Sequence, residues 1–253
     1  MKTLRSTKML SFVLLCACFI FSGCGHRDES HTGGVPLARF GELSSLATET
    51  DKGPSGHNYT EIYEHFFLPL KYAPIKILEI GIETGGSLKL WEKYFPNATV
   101  FGIDIVKKEF MNSTRIKTFV GDQASRQALN SFIQTYGGDF DIILDDGGHT
   151  MEQQQISLGF LFKYVKPGGL YVLEDLHTSL PDFYQGYGAD PLKRNSSLIM
   201  IYDYISTKEM RSQYLTPEEN LYLTRHIEYT NLNQRAQGEK KPPSITCIFK
   251  KKL

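Results

Sequence analysis

The stretch Asp141-Ile142-Ile143-Leu144-Asp145-Asp146-Gly147-Gly148-His149 decides the fold, together with its echo Leu170-Tyr171-Val172-Leu173-Glu174-Asp175-Leu176-His177. Each is a short apolar run that ends in carboxylates and a histidine. Such runs read as strands of an α/β sheet, buried on both faces. Ligands of these sheets bind beyond the carboxyl ends of the strands. Two neighbouring strand ends would place Asp146, His149, Glu174 and Asp175 in one crevice. That is the composition of a hard-metal site with a general base beside it.

Outward from this pair the alternation continues. Residues 76–80 form a β-rich run, followed by the turn 81–86 and a helical pattern over 87–94. A second strand spans 99–105, with Asp104 near its end, and a third spans 117–120, ending at Gly121-Asp122. Helix 125–136, strand 140–144, helix 151–165 and strand 170–173 complete the series, with Lys166-Pro167-Gly168-Gly169 closing the last helix. This βα alternation predicts a mostly parallel sheet with right-handed crossovers. The pattern then changes. Residues 177–195 are rich in Tyr, Gly and Pro, a loop long enough to cover a site. Two helical segments, 197–205 and 216–223, precede two final strands, 226–230 and 245–250, expected as an antiparallel hairpin at the sheet edge. Upstream, 37–50 has helical spacing, 51–58 is a loop by composition, and 59–70 is helical up to Pro69.

The chain has 253 residues, with 28 acidic and 28 basic side chains. That balance requires no basic face, so nucleic-acid binding has no compositional support. Lys2, Arg5 and Lys8 precede the apolar run 9–21 and then Ser22-Gly23-Cys24, the layout of a secretory signal. The run is shorter than the ~20 residues that span a bilayer. Phe21-Ser22-Gly23-Cys24 resembles the bacterial lipobox, which implies a lipidated Cys24 and a membrane-anchored lipoprotein of the cell envelope. If the signal is not used, the protein is expected in the cytoplasm. Three of the four cysteines lie in this segment, so Cys247 can form neither a disulfide nor a thiolate zinc site within the folded part. The expected organisation is a signal peptide (1–24), a polar tether (25–36), a helical cap (37–74) and a catalytic-type domain (75–253).

The first βα turn reads Glu79-Ile80-Gly81-Ile82-Glu83-Thr84-Gly85-Gly86-Ser87. Glycines there let the backbone approach a ligand, and the following helix offers unpaired N–H groups. The pattern is not the GxGxxG of dinucleotide dehydrogenases. An acid on the first strand before a Gly-rich turn resembles motif I of the class I S-adenosylmethionine-dependent methyltransferases. Asp104 then stands where that family accepts the ribose hydroxyls, and Gly121-Asp122-Gln123 where it meets adenine.

The fourth and fifth strand ends narrow the resemblance. Leu144 to His149, and Pro167 to Ser179, resemble the metal-dependent sugar O-methyltransferases of macrolide and related antibiotic biosynthesis, with cephalosporin hydroxylase-like proteins as relatives. Asp51-Lys52-Gly53, followed by His57-Asn58-Tyr59-Thr60, resembles the same subgroup. The resemblance implies a Rossmann-like, mostly parallel seven-stranded sheet with an antiparallel C-terminal edge. It implies S-adenosylmethionine held by Glu79, Gly81, Gly85, Ser87, Asp104, Asp122 and Gln123. Mg²⁺ would be held by Asp146, Glu174 and Asp175, with His149 as general base. His57, Tyr59, His177 and Tyr184 are the expected substrate contacts. The activity implied is methylation of a hydroxyl on a sugar or glycosylated small molecule.

Plainer readings stand beside these. Asp145-Asp146-Gly147-Gly148 can be a turn and helix cap, Tyr59, Tyr171, Tyr184 and Tyr187 can be packing residues, and His57 can begin a helix. The rival function is a non-catalytic or repurposed methyltransferase-fold binding domain displayed on the envelope. A homo-oligomer is left open.

Overall fold

The computed structural model describes residues 38–237 and 242–253. The expected signal, lipobox and tether lie outside the described residues. Among the described residues no helix is long and apolar enough to cross a membrane.

Two short helices come first among the described residues, α1 (Glu42–Leu46) and α2 (Thr60–Phe67). The buried Glu64 carboxylate joins them by accepting the backbone N–H groups of Gly41 (2.5 Å) and Leu43 (2.9 Å). The sequence predicts a longer first helix. It stops at Leu46, and the chain crosses to α2 as a loop through Gly53, where the Asn58 N–H bonds the Gly53 carbonyl at 2.9 Å.

The alternating region follows as β1 (Lys76–Ile80), α3 (Gly86–Tyr94), β2 (Thr99–Asp104), β3 (Ile116–Val120), α4 (Arg126–Tyr136), β4 (Phe140–Asp145), α5 (Met151–Leu161) and β5 (Val165–Leu173). The remainder is α6 (Tyr184–Tyr187), α7 (Ser197–Thr207), α8 (Pro217–His226), β6 (Ile227–Arg235) and β7 (Ser244–Lys251). Segment 177–195 is not a bare loop. Short 3₁₀ turns at Leu176–Ser179 and Pro181–Phe183 run into α6.

Seven strands form one sheet in the order β3-β2-β1-β4-β5-β7-β6. β1 to β5 pair in parallel, and β7 runs antiparallel to both β5 and β6. The last strand is therefore inserted between β5 and β6, and β6 forms the outer edge. Side-chain chemistry explains this order. In β7, Ile245, Cys247, Ile248 and Phe249 are all buried, whereas β6 carries exposed Glu228 and half-exposed asparagines. Polar residues suit an edge, where one side of the backbone faces water.

Period-two alternation sends side chains to two packed layers. Leu78 and Ile80 face the side of Phe132, Phe160 and Ile201. Ile77, Ile142 and Val172 face the side of Tyr63, Phe67 and Trp91. Because helices cover both faces, the inner strands β4 and β5 can carry unbroken apolar runs, which is why these runs read so clearly in the sequence.

Capping fixes where the helices begin. Thr150 and Gln153 form a reciprocal capping box at α5, and Thr216 with Glu219 forms one at α8. α5 is buried on nearly all sides, so its polar residues need internal partners. Gln154 donates to the Glu174 carbonyl (3.0 Å), and Ser157 donates to the Asp145 carboxylate. The helix thereby pins the ends of β4 and β5, where the sequence places its carboxylates.

Candidate active site

A cavity of about 600 Å³ opens at the carboxyl ends of β1, β2 and β4. Its walls include the Gly81–Thr84 turn, Asp104, Gln123 and the Gly147–His149 turn, and residues 49–51 close it from the N-terminal side. Gly81 has φ +87, and a Cβ there would strike the Asp146 carbonyl oxygen. The β1 and β4 turns thus touch backbone to backbone, which only glycine permits.

Of the residues expected at the cofactor, Gly81, Ser87, Asp104, Asp122 and Gln123 line the cavity. Glu79 and Gly85 do not. Glu79 is fully buried, accepting the Trp91 indole N–H at 3.0 Å and lying 3.4 Å from the Lys52 ammonium. Gly85, at φ +85, supplies the left-handed residue that starts α3. Asp104 does more than line a wall. Its Oδ2 accepts the N–H groups of Ile82 (2.9 Å) and Glu83 (3.2 Å), and its Oδ1 accepts that of Val106 (2.7 Å). Oδ1 alone keeps a free lone pair for a ligand hydroxyl. Gln123 donates to Asp145 Oδ1 (2.9 Å) and accepts the Gly148 N–H (2.7 Å). Its amide is committed to shaping the turn after β4, and Asp122 to accepting the Ala124 N–H.

The acids of the opening motif separate by role. Asp145 is buried, and Gln123, Ser157 and Tyr171 all donate to it. Burial pushes its carboxyl up to about 6. Asp146 and Asp175 instead face each other across His149, whose Nε2 lies 3.7 Å from Asp146 Oδ1 and 3.4 Å from Asp175 Oδ2. One donor atom from each of these residues falls within 4.8 Å of the others. An octahedron with oxygens at about 2.1 Å spans about 4.2 Å, so the set fits a small divalent cation after slight contraction. Glu174 is not brought into that group. It is buried, with Oε2 3.0 Å from Lys52 and Oε1 lacking any partner. An orphaned buried carboxylate oxygen beside the donor set is consistent with a cation drawing Glu174 in.

His149 and Asp175 share a rare backbone state, at φ +57 and φ +52. Non-glycine residues held there carry strain, and such strain gathers at functional sites. Asp175 is also the hub of an imidazole ring. Tyr59 donates to its Oδ1 at 2.8 Å, and His57 and His177 lie 3.7 and 3.8 Å from the same oxygen. Burial would raise the Asp175 carboxyl, but the imidazoles of His149 and His57 and the Tyr59 hydroxyl outweigh it and hold it below the usual range. Burial lowers the His177 imidazole, partly opposed by Asp175.

Three of the expected substrate contacts, His57, Tyr59 and His177, therefore meet at Asp175 and stack on one another, with 5.1 Å between the His57 and Tyr59 rings and 6.1 Å between His57 and His177. Tyr184 is not among the cavity residues; its neighbour Phe183 packs edge-on against His177 instead, at 5.2 Å. Tyr171 is a packing residue with its hydroxyl on Asp145.

Sequence reasoning missed Lys52. It is wholly buried, and its ammonium contacts Asp146, Glu174 and Glu79. Burial alone would lower its pKa, yet these three carboxylates raise it well above the ordinary value. A signal did exist. Acids clustered at buried strand ends demand a counter-charge, and a lysine in the loop preceding them is a candidate.

No family model matches the chain. Among curated proteins it is 39% identical over 160 residues to the 8-demethyl-8-(2-methoxy-alpha-L-rhamnosyl)-tetracenomycin-C 3'-O-methyltransferase of Streptomyces olivaceus, covering 60% of this chain and 40% of that protein. It is 34% identical over 183 residues to the mycinamicin VI 2''-O-methyltransferase of Micromonospora griseorubida, covering 68% of this chain and 42% of that protein. The chain thus spans about two fifths of the length of these relatives. Among solved structures, MycE methyltransferase from the mycinamycin biosynthetic pathway, in complex with Mg and SAH, superposes with a TM-score of 0.68 at 29% identity. That match covers 85% of this chain and 56% of MycE. By sequence this chain is similar to sugar O-methyltransferases of macrolide and tetracenomycin biosynthesis, and by sheet topology it carries the class I methyltransferase fold.

Proposed function

We propose that this protein is an S-adenosylmethionine- and Mg²⁺-dependent O-methyltransferase acting on a hydroxyl of a sugar or glycosylated small molecule. One observation carries the reading. The Asp146 and Asp175 carboxylates, with the His149 imidazole between them, open on the same cavity as the Gly81 turn and Asp104. A bound hydroxyl and a bound cofactor would therefore share one wall. The relatives support the substrate class, since their names specify O-methylation of a rhamnosyl-tetracenomycin and of mycinamicin VI.

S-adenosylmethionine supplies a methyl group already activated by its sulfonium, and a divalent cation lowers the pKa of a nearby hydroxyl. The chain's own residues do the rest. The Gly81–Thr84 turn and Asp104 would position the cofactor, while Asp146 and Asp175, with Glu174 behind them, would hold the cation. His149 takes the proton from the attacking hydroxyl, its ring held against two carboxylates that stabilise the imidazolium so formed. Tyr59 and His177 are buried behind Asp175, and neither they nor His57 lines the cavity, so all three orient the Asp175 carboxylate rather than meet a sugar face.

Calorimetry of the purified 25–253 fragment with S-adenosylhomocysteine, with and without Mg²⁺, tests the reading. Binding in the micromolar range is expected. Asp104→Ala should weaken it about tenfold or more, the cost of losing hydrogen bonds to a charged acceptor. No binding by the wild type under either condition overturns the assignment.

We also infer that the chain is exported and lipidated at Cys24, on the strength of the basic residues, apolar run and Ser22-Gly23-Cys24 alone. Fractionation of a tagged chain with and without Cys24→Ala checks this. The wild type should partition with membranes and the variant should not. A soluble cytoplasmic product with an unmodified N-terminus overturns it.

A further inference from the structure

Lys52 touches both halves of the site. Glu79 belongs to the cofactor side, because it is the penultimate residue of β1, two residues before Gly81, and accepts the Trp91 indole N–H from α3. Asp146 and Glu174 belong to the cation side, after β4 and β5. The ammonium reaches Glu79 at 3.4 Å and Glu174 at 3.0 Å, and is in contact with Asp146 Oδ2. β1, β4 and β5 are adjacent in the sheet, so a single positive charge is shared along three neighbouring strand ends.

One ammonium cannot neutralise three buried carboxylates equally. A cation held at Asp146 and Glu174 would take over part of their charge and leave the Lys52 ammonium to Glu79. The Glu79 end of the network would then tighten, and with it the start of the turn that faces the cofactor. We propose that Lys52 is a positioning residue that couples cation binding to cofactor binding. This rests on the methyltransferase reading above. Coupling of this kind is reciprocal, so cofactor should raise cation affinity by the same factor that cation raises cofactor affinity.

The test is calorimetry on the full folded protein, titrating S-adenosylhomocysteine with and without Mg²⁺, and Mg²⁺ with and without S-adenosylhomocysteine. In the wild type each ligand should tighten the other by about tenfold, within the usual span of such couplings. In Lys52→Met the factor should fall to within about twofold, although each ligand still binds alone. A lysine that merely supports the fold would lower the melting temperature and leave the factor unchanged, and that result overturns the proposal. Because Lys52→Met leaves buried carboxylates without a counter-ion, Glu79→Gln serves as the second variant. It cuts the cofactor-side arm, leaves Lys52 two partners, and should abolish the coupling equally. Equal wild-type affinity with and without Mg²⁺ overturns the coupling alone, whereas no wild-type binding of S-adenosylhomocysteine overturns the methyltransferase reading with it.

Discussion

Replacing His149 by asparagine lowers turnover by about 10²–10⁴, the usual share of a general base, and leaves S-adenosylhomocysteine affinity within about twofold of wild type. Asparagine is a better probe than alanine. His149 sits at φ +57, a conformation that asparagine tolerates and alanine resists. Alanine would mix loss of a base with relaxation of the turn between β4 and α5. The imidazole also stands in the candidate donor set, so Mg²⁺ affinity belongs in the same experiment. A base that is not a ligand leaves that affinity nearly unchanged. Turnover within a few-fold of wild type would remove His149 from the chemistry and point to His57 or His177, which share Asp175 with it.

The largest expected effect on stability comes from Trp91→Ala. The indole is fully buried, lies edge-on to Phe67 with 5.9 Å between ring centroids, and donates to Glu79 Oε2 at 3.0 Å. Truncating a buried Trp costs about 3–5 kcal/mol through lost transfer energy and the cavity left behind. Leaving a buried acceptor unpaired adds about 1–3 kcal/mol. Burial already pushes the Glu79 carboxyl up to about 7 despite Lys52 nearby, so its remaining partners have little to spare. Against a typical domain stability of about 5–15 kcal/mol the variant approaches the unfolding threshold. A fall in melting temperature on the order of 10–20 °C is expected by scanning calorimetry. Trp91→Phe keeps most of the packing and loses only the N–H donor, so it should fall by less than half as much. Equal losses in the two variants would mean that the hydrogen bond, not the volume, carries the site.

The parallel strands were legible because burial on both faces leaves an unbroken apolar run, as in Ile142-Ile143-Leu144 and Tyr171-Val172-Leu173. The pairing of Asp146 with Asp175 followed from strand ends in neighbouring positions, an order that βα topology supplies. Other features depend on long-range packing. The insertion of β7 between β5 and β6 is set by which of two late strands has the more apolar surface, and both are short enough to read alike. Glu79 looks like a cofactor contact by position, yet strand alternation turns it toward Trp91. Gln123 is spent on the Gly148 N–H, a partner no local pattern specifies. Lys52 sits among Gly, Pro, Ser and Asp, a composition typical of solvent-exposed loops, and only its distant partners explain its burial.

The anchoring of α1 by Glu64, with the loop that carries Lys52 behind it, bears on where this domain begins. Topology would draw the boundary at β1, since every strand of the sheet lies beyond it. Charge draws it earlier. A fragment cut at β1 keeps all seven strands and loses the only ammonium that meets Glu79, Asp146 and Glu174 among the described residues. The helical cap is therefore part of the domain's electrostatic closure.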